Sequence, residues 1–215
     1  MSTRVLLADD HPVLRQGLRK LLEQEAWIEV VAEAGDGHEV VALADELVPD
    51  VIVMDIGLPG LNGIDASRRI IEAHPDIKVI ALSIHTSSRM VTEMLKAGAS
   101  AYVFKMAAFE EVVRAVRVVR QGKRYLSPGA AGAVVDALVE GPAGSSAFST
   151  LTPREREILQ LLAEGSSSKQ IAFDLGISPK TVDVHRKNLM DKLDLDSLAD
   201  LTRYAIREGL ISPDR

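Results

Sequence analysis

The first 126 residues alternate short apolar runs with longer segments in which apolar residues recur every three or four positions. Five runs rich in Val, Ile, Leu and Ala have the length of strands: Arg4–Ala8, Ile28–Ala34, Val51–Met54, Lys78–Leu82 and Ala101–Phe104. The segments between them, such as Pro12–Glu23 and Phe109–Arg120, have the periodicity of amphipathic helices. Strands that are apolar throughout and alternate with helices are typical of parallel sheets covered on both faces. We therefore predict an α/β domain over residues 1–126, a (βα)5 doubly wound parallel sheet.

The pattern changes after residue 126. Residues 127–150 are rich in Gly, Pro, Ala and Ser, which indicates a linker. Its first half has the composition of a possible short helix with Ser127 as the N-cap. We place the boundary between two domains in this segment.

Residues 151–215 contain no strand pattern. Their apolar spacing predicts four short helices, at about 153–164, 168–175, 179–192 and 197–208. The first has a helix-start signature, with Thr152 as the N-cap, Pro153 at the first helical position and Glu155 three residues after the cap. We therefore expect a small all-α, four-helix domain.

Composition narrows the possible classes of protein. The 215 residues include no cysteine, which excludes disulfides and thiolate metal sites and suits a reducing compartment. No stretch of about 18 apolar residues occurs, so we expect neither membrane insertion nor secretion. Together these features favour a cytoplasmic protein.

The charge distribution constrains any contact with nucleic acid. The net charge is −6, and the segment from Leu151 onward has ten basic and eleven acidic residues. The helical domain is therefore less acidic than the first domain but not basic. Any nucleic-acid contact must come from a local basic cluster, and dimerisation or tandem sites would be needed to strengthen it.

Polar residues follow the predicted strands at the sheet edge where doubly wound domains form their sites. They are Asp9, Asp10, Asp55, Ser83 and Lys105. Three carboxylates in one pocket repel each other unless a hard divalent cation such as Mg²⁺ binds them. This arrangement suggests phosphoryl chemistry with Asp55 as the nucleophile. Any one of the acidic residues could instead cap a helix or form a turn, but the combination favours a site.

Four segments resemble, in order, the motifs of receiver domains: LLADDHPVLRQGL, VIVMDIGLPGLNGIDA, ALSIHT and GASAYVFK. The resemblance covers residues 3–122 and implies a flavodoxin-like fold in which Asp55 accepts a phosphoryl group from a sensor histidine kinase. It also implies Mg²⁺ bound by Asp9, Asp10 and Asp55 with the backbone carbonyl of Gly57.

The same resemblance assigns further residues. Pro59 and Gly63 would shape the loop after the acceptor. Ser83 would donate a hydrogen bond to the phosphoryl group, Lys105 would form an ion pair with it, and Ser83 and Tyr102 would form the switch.

The roles of three residues in or near these motifs stay open. Tyr102 alone could be a core aromatic, and only its spacing from the lysine supports a switch. Met106 stands where many receivers have proline, which leaves the geometry of that loop open. His85 is assigned no role.

The segment LTPREREILQLLAEGSSSKQIAFDLGISPKTVDVHRKNLMDKL resembles the LuxR-type helix-turn-helix found in NarL/FixJ-type response regulators, and the resemblance covers residues 151–210. It implies that the helix Pro179–Lys192 reads the major groove. The residues expected to contact DNA are Lys180, Thr181, Asp183, Val184, Arg186 and Lys187.

Within that set, three residues would face bases and two would contact phosphate. Asp183, Val184 and Lys187 occupy the base-facing positions, although the family commonly has Lys where this chain has Asp183. A carboxylate there can accept from cytosine, or it can be a solvated surface charge. Lys180 and Arg186 would contact phosphate.

The last predicted helix is expected to form a dimer contact. Three of its apolar residues recur at helical spacing and are expected to be exposed: Leu198, Leu201 and Ala205. Core packing would explain some of them, but the family resemblance implies that this helix makes a two-fold dimer contact.

The leading hypothesis is a phosphorylation-controlled, DNA-binding transcription regulator of a two-component system, not an enzyme, that forms a homodimer when active. Its partners would be a sensor histidine kinase and double-stranded DNA. A regulator that acts without phosphorylation is one alternative. An aspartyl-phosphate phosphatase is another, but it needs a second carboxylate at the position of Gly57. A ligand-activated LuxR sensor is disfavoured by an aromatic content of 4%.

Overall fold

The computed structural model describes residues 2–84, 86–106, 109–140 and 147–211. The chain forms two compact units, Met1–Ala143 and Gly144–Arg215. None of the helices in the described residues combines the length and apolar composition needed to span a lipid bilayer.

The first unit is built on six parallel strands: β1 (Thr3–Ala8), β2 (Ile28–Ala34), β3 (Val51–Asp55), β4 (Lys78–Ser83), β5 (Ala101–Phe104) and β6 (Tyr125–Leu126). They lie in the order β2-β1-β3-β4-β5-β6. Helices cover the sheet: α1 (Pro12–Leu22), α2 (Gly37–Leu47), α3 (Gly63–Ala73), α4 (Ser88–Lys96), α5 (Phe109–Val119) and α6 (Pro128–Glu140). The predicted doubly wound sheet is confirmed, and β6 is an addition to it.

The core explains why the central strands are mostly apolar. Val5 and Leu7 of β1, Val53 of β3 and Val103 of β5 are buried in one cluster with residues of α1 and α5. Since helices cover both faces, a polar side chain within a strand would lie in the core. In the central strands β1, β3 and β4 the polar residues therefore lie at the ends, whereas the edge strand β2 also carries Glu29 and Glu33.

The predicted linker is wrong in its first half, because residues 125–140 belong to the first unit. Leu126 pairs with Tyr102 of β5, and α6 packs against α4 and β5. Ala130 and Ala133 are buried in this contact. The glycine- and alanine-rich composition permits close helix packing here, although it resembles that of a flexible tether.

The expected helix in this segment is observed, but its expected cap is not. The Ser127 hydroxyl is buried and has no hydrogen-bond partner within the described part of the chain. Gly129, in the first turn of α6, lies against Phe104, and a Cβ there would be 2.7 Å from the ring. Packing against β5 therefore holds the start of this helix.

The second unit is helical: α7 (Ala147–Thr150), α8 (Pro153–Ala163), α9 (Ser168–Asp174), α10 (Pro179–Leu193) and α11 (Leu198–Arg207). The predicted capping box is present at α8, where the Thr152 hydroxyl accepts from the Glu155 amide at 3.2 Å and the Glu155 carboxylate accepts from the Thr152 amide at 2.8 Å. Ile171, Val182 and Leu189 join α9 and α10 to a shared core.

The expected exposure of the last helix is wrong for two of three residues. Leu201 and Ala205 are both 0% exposed because α11 packs against α8, whereas Leu198 is 48% exposed. The apolar stripe of this helix serves the core of its own unit. Substitution of Leu201 by a charged residue would disrupt that core. Of the three predicted dimer residues, Leu198 alone is exposed.

Candidate functional site

The acidic residues meet at the carboxyl edge of the sheet because β1 and β3 are neighbours. Asp9 and Asp10 follow β1, and Asp55 ends β3. One ligand atom from each of these residues and from His11 lies within 4.8 Å of the other three. Asp9 is 2% exposed and Asp55 is 5% exposed. The structure thus brings together the three carboxylates that the sequence singled out.

Lys105 enters this pocket from the end of β5. Its Nζ lies 2.7 Å from an oxygen of Asp55 and 2.7 Å from an oxygen of Asp9. Burial raises the pKa of the Asp55 carboxyl, and the ammonium group of Lys105 partly opposes this effect. Burial alone would lower the pKa of Lys105, but the charges of Asp55 and Asp9 outweigh it and raise that pKa. The lysine therefore remains charged and neutralises part of the acidic cluster.

Ser83 and Tyr102 lie beside this cluster within the sheet. Asp55 pairs with Leu82, so Ser83 lies one residue farther along the neighbouring strand. Both Ser83 and Tyr102 are buried, and their hydroxyl groups share a hydrogen bond. Burial raises the pKa of Tyr102. The tyrosine is thus both a core aromatic and a hydrogen-bond partner of the serine, so the two interpretations are compatible.

The ring of Tyr102 contacts a second aromatic residue on the same strand. Its centroid lies 5.7 Å from that of Phe104 in an edge-to-face arrangement. Phe104 in turn contacts Gly129 of α6. A continuous chain of packed groups therefore connects Ser83 with α6.

The loop after β3 holds the Asp55 carboxylate and restricts its backbone. The Gly57 amide donates to Asp55 Oδ1 at 3.2 Å, and the Pro59 carbonyl accepts from the amides of Gly37 and Leu61. The Gly63 amide donates to the carbonyl of Ile56 at 2.9 Å, which folds the start of α3 against the strand end.

Replacement of Gly63 by alanine should destabilise the protein by about 1–3 kcal/mol. A Cβ at this position would lie 2.1 Å from the backbone oxygen of Asp55. Because the clash is with backbone, no side-chain movement can relieve it. Urea unfolding of Gly63→Ala measures the effect. Gly17→Ala is the matched control, since a Cβ there meets nothing within 4 Å and alanine in α1 should stabilise by about 0.5–1 kcal/mol. Equal stability of the two variants would contradict the close approach.

One residue of the pocket was missed by the sequence reasoning. His11 Nδ1 lies 2.8 Å from Asp10 Oδ1 and 3.2 Å from Asp9 Oδ1, at the solvent side of the cluster. Its position directly after two aspartates was the available signal. Met106, the residue after Lys105, is exposed, and His85 lies outside the described residues.

The second candidate site is the outer face of α10. Five of the six residues expected to contact DNA are exposed: Lys180, Thr181, Asp183, Val184 and Lys187. The sixth, Arg186, is half-buried. His185 is also half-buried. These residues of α10 thus share a solvent-facing surface.

Asp183 has local partners that explain how a carboxylate fits on this face. The Ser168 hydroxyl donates to Asp183 Oδ1 at 2.9 Å, and Arg186 lies 3.5 Å from the same oxygen. Ser168 is the first residue of α9, so this carboxylate links the two helices of the helix-turn-helix. Its charge is partly balanced before any ligand arrives.

Comparison with known families agrees with both parts of the structure. The family model of the response regulator receiver domain matches residues 5–117, and that of the bacterial regulatory proteins of the luxR family matches residues 149–205. The chain belongs to the response regulators of two-component systems that join a receiver domain to a LuxR-type DNA-binding domain, and are transcription regulators.

Similar proteins match nearly the whole chain. The response regulator UvrY of Escherichia coli (strain K12) is 36% identical over 98% of this chain and 96% of its own length. The response regulator GacA of Pseudomonas protegens is 38% identical over 97% of each chain. A structure of two RcsB dimers bound to two parallel DNAs has 27% identity and a TM-score of 0.60, covering 95% of this chain and 98% of RcsB.

Proposed function

We propose that Asp55 accepts a phosphoryl group from a sensor histidine kinase, and that this modification favours a homodimer that binds double-stranded DNA in the cytoplasm. The observation that carries the proposal is the convergence of Asp9, Asp10 and Asp55 beside Lys105 at the carboxyl edge of the sheet. A buried carboxylate with a cation-binding set and a lysine is the arrangement that phosphoryl transfer requires.

In the proposed reaction, an oxygen of the Asp55 carboxylate attacks the phosphorus of a phosphohistidine. The phosphorus–nitrogen bond breaks as the acyl phosphate forms, and the electron pair stays on the departing imidazole, which is protonated. Lys105 already lies 2.7 Å from Asp55 and is placed to pair with the transferred oxygens. The chain is then a stoichiometric acceptor, because Gly57 offers no second carboxylate for turnover.

The donor set fits Mg²⁺. Three carboxylates face one lysine in the pocket, which leaves an excess of negative charge on hard oxygen donors. Asp9, Asp10 and Asp55 would hold the cation, with the carbonyl of Gly57 as a further ligand. A bound divalent cation supplies positive charge opposite the oxygens of the transferring group.

The switch would begin at Ser83. Its hydroxyl now shares a hydrogen bond with Tyr102, and a hydrogen bond to the phosphoryl group would compete with this one. The Tyr102 ring would then repack against Phe104, which contacts α6. This is a shift between two packed arrangements that a local charge biases.

For DNA binding, we propose that α10 enters the major groove. Lys180 and Arg186 would contact phosphates, and Lys187, Val184 and Asp183 would face bases. The exposure of these side chains supports the proposal, as does the likeness to RcsB, whose dimers were solved on DNA. Thr181 at the start of the helix is the remaining predicted contact. Leu198 is the predicted dimer residue that stays exposed.

Mobility-shift assays on genomic fragments, with and without acetyl phosphate and Mg²⁺, test this function. We expect phosphorylation to tighten binding by about fivefold or more, the usual range of an allosteric coupling. Equal binding in both conditions would favour the alternative regulator that acts without phosphorylation. If no fragment is bound in either condition, the proposal that α10 binds DNA is wrong.

A further inference from the structure

Arg15 on α1 contacts the loop that carries the acidic pair. Its guanidinium donates through one terminal nitrogen to the backbone carbonyl of Asp9. Its Nε donates to the Glu33 carboxylate of β2 at 2.9 Å. Arg15 is half-buried, so it bridges the end of β1 to the neighbouring strand from one side of the pocket.

The carbonyl that Arg15 holds belongs to the peptide group between Asp9 and Asp10. This group is planar, so fixing its oxygen also fixes the direction in which the Cα of Asp10 leaves it. The amide of Asp9 is held separately by the carbonyl of Ala34 at 3.1 Å. The backbone on both sides of Asp9 is therefore anchored, and Arg15 supplies the anchor nearer to Asp10.

We propose that Arg15 is a positioning residue that holds Asp9 and Asp10 in the geometry required to bind the divalent cation. The inference deepens the proposed function and rests on its Mg²⁺ site. Carboxylates that repel each other move apart unless their backbone is fixed, and supporting contacts of this kind around a metal site commonly change its affinity by tenfold or more.

Glu33 orients Arg15 and also binds Arg19, which can therefore serve as a matched control. The same carboxylate accepts from Arg19 at 2.8 Å, and this contact lowers the pKa of Glu33. Arg19 also pairs with Glu23 at 2.9 Å. Arg15 and Arg19 thus share a helix, a charge and a partner, but the bond to the Asp9 carbonyl is formed by Arg15.

The positioning role and a charge effect predict opposite results. Removal of a positive charge close to a cation site should, by electrostatics alone, strengthen Mg²⁺ binding. Loss of the backbone anchor should weaken it. The direction of the change therefore separates the two explanations.

The experiment is an amide NMR titration of the full chain with MgCl₂, without a phosphodonor. We expect Arg15→Met to raise the Kd for Mg²⁺ by about tenfold, and Arg15→Lys, which keeps one charge and one donor but not the fork, to lie between that variant and the original chain. Arg19→Met should leave the Kd unchanged or slightly lower it. Thermal melts establish that all variants are folded.

Each outcome decides a different point. If Arg15→Met binds Mg²⁺ as tightly as Arg19→Met, or more tightly, the positioning role is wrong while the cation site stands. If the original chain itself shows no saturable Mg²⁺ binding near Asp9 and Asp55, the proposed cation site fails and this inference fails with it. An equal loss of affinity in Arg15→Met and Arg19→Met would also overturn the inference, because it would assign the effect to Glu33.

Discussion

Asp55→Asn should reduce phosphorylation by acetyl phosphate and Mg²⁺ to background. The original chain should gain one phosphoryl group, measured by intact-mass spectrometry. The reason is chemical, because an amide has neither the charge nor the nucleophilicity of the carboxylate that attacks phosphorus. Asparagine has nearly the same shape, so the fold should persist.

Asp76→Asn is the control for this experiment. Asp76 is exposed and precedes β4, at the opposite edge of the sheet from Asp55, and its substitution should leave labelling unchanged. Labelling that persists in Asp55→Asn would mean that another residue is the acceptor. Labelling lost from both variants would indicate a general defect rather than loss of the acceptor.

Substitutions on α10 should separate base contacts from phosphate contacts. Lys187→Ala should weaken binding to the preferred fragment by about 1–3 kcal/mol and change the ranking of sequences, because we propose that its side chain faces bases. Lys180→Ala should weaken binding to all sequences similarly and reduce the salt slope by about one unit. We propose that Lys180 contacts a phosphate, and each such contact releases about one counterion. Quantitative mobility shifts over a range of salt concentrations measure both effects.

Arg203→Ala provides the comparison for the α10 substitutions. It removes the same charge from an exposed position on α11, outside α10. We expect it to change neither the sequence ranking nor the salt slope. If Lys187→Ala and Lys180→Ala behave as Arg203→Ala does, α10 is not the reading helix.

The strands and the acidic pocket were predictable because local pattern determines them. A strand buried on both faces must be apolar almost throughout, so its bounds were visible to within one residue, as at the fully buried Val51–Asp55, which was expected at Val51–Met54. Parallel strands place their carboxyl ends at one edge, so Asp9 and Asp55 were expected to meet. Their spacing in sequence was irrelevant once the sheet order was inferred.

The predictions that failed concern which element covers an apolar surface. The stripe of Leu201 and Ala205 was correctly recognised as apolar, but periodicity does not tell whether another helix of the same unit or a second chain covers it. The contribution of Arg15 depends on a backbone carbonyl, and no side-chain motif records such a contact. The place of His11 in the pocket depends on the position of its ring, which is visible only in three dimensions.

The pairing of β6 with β5 determines where the first unit can be cut. A sheet edge with free amide and carbonyl groups is a template for pairing with other chains, and short terminal strands or covering helices block it. Here Tyr125–Leu126 occupies that edge and α6 packs beside it. A receiver fragment that ends near Arg120 would expose both the edge and the buried face of α4, and it should self-associate for reasons unrelated to signalling. Chimeras that exchange receivers are therefore better joined after Glu140.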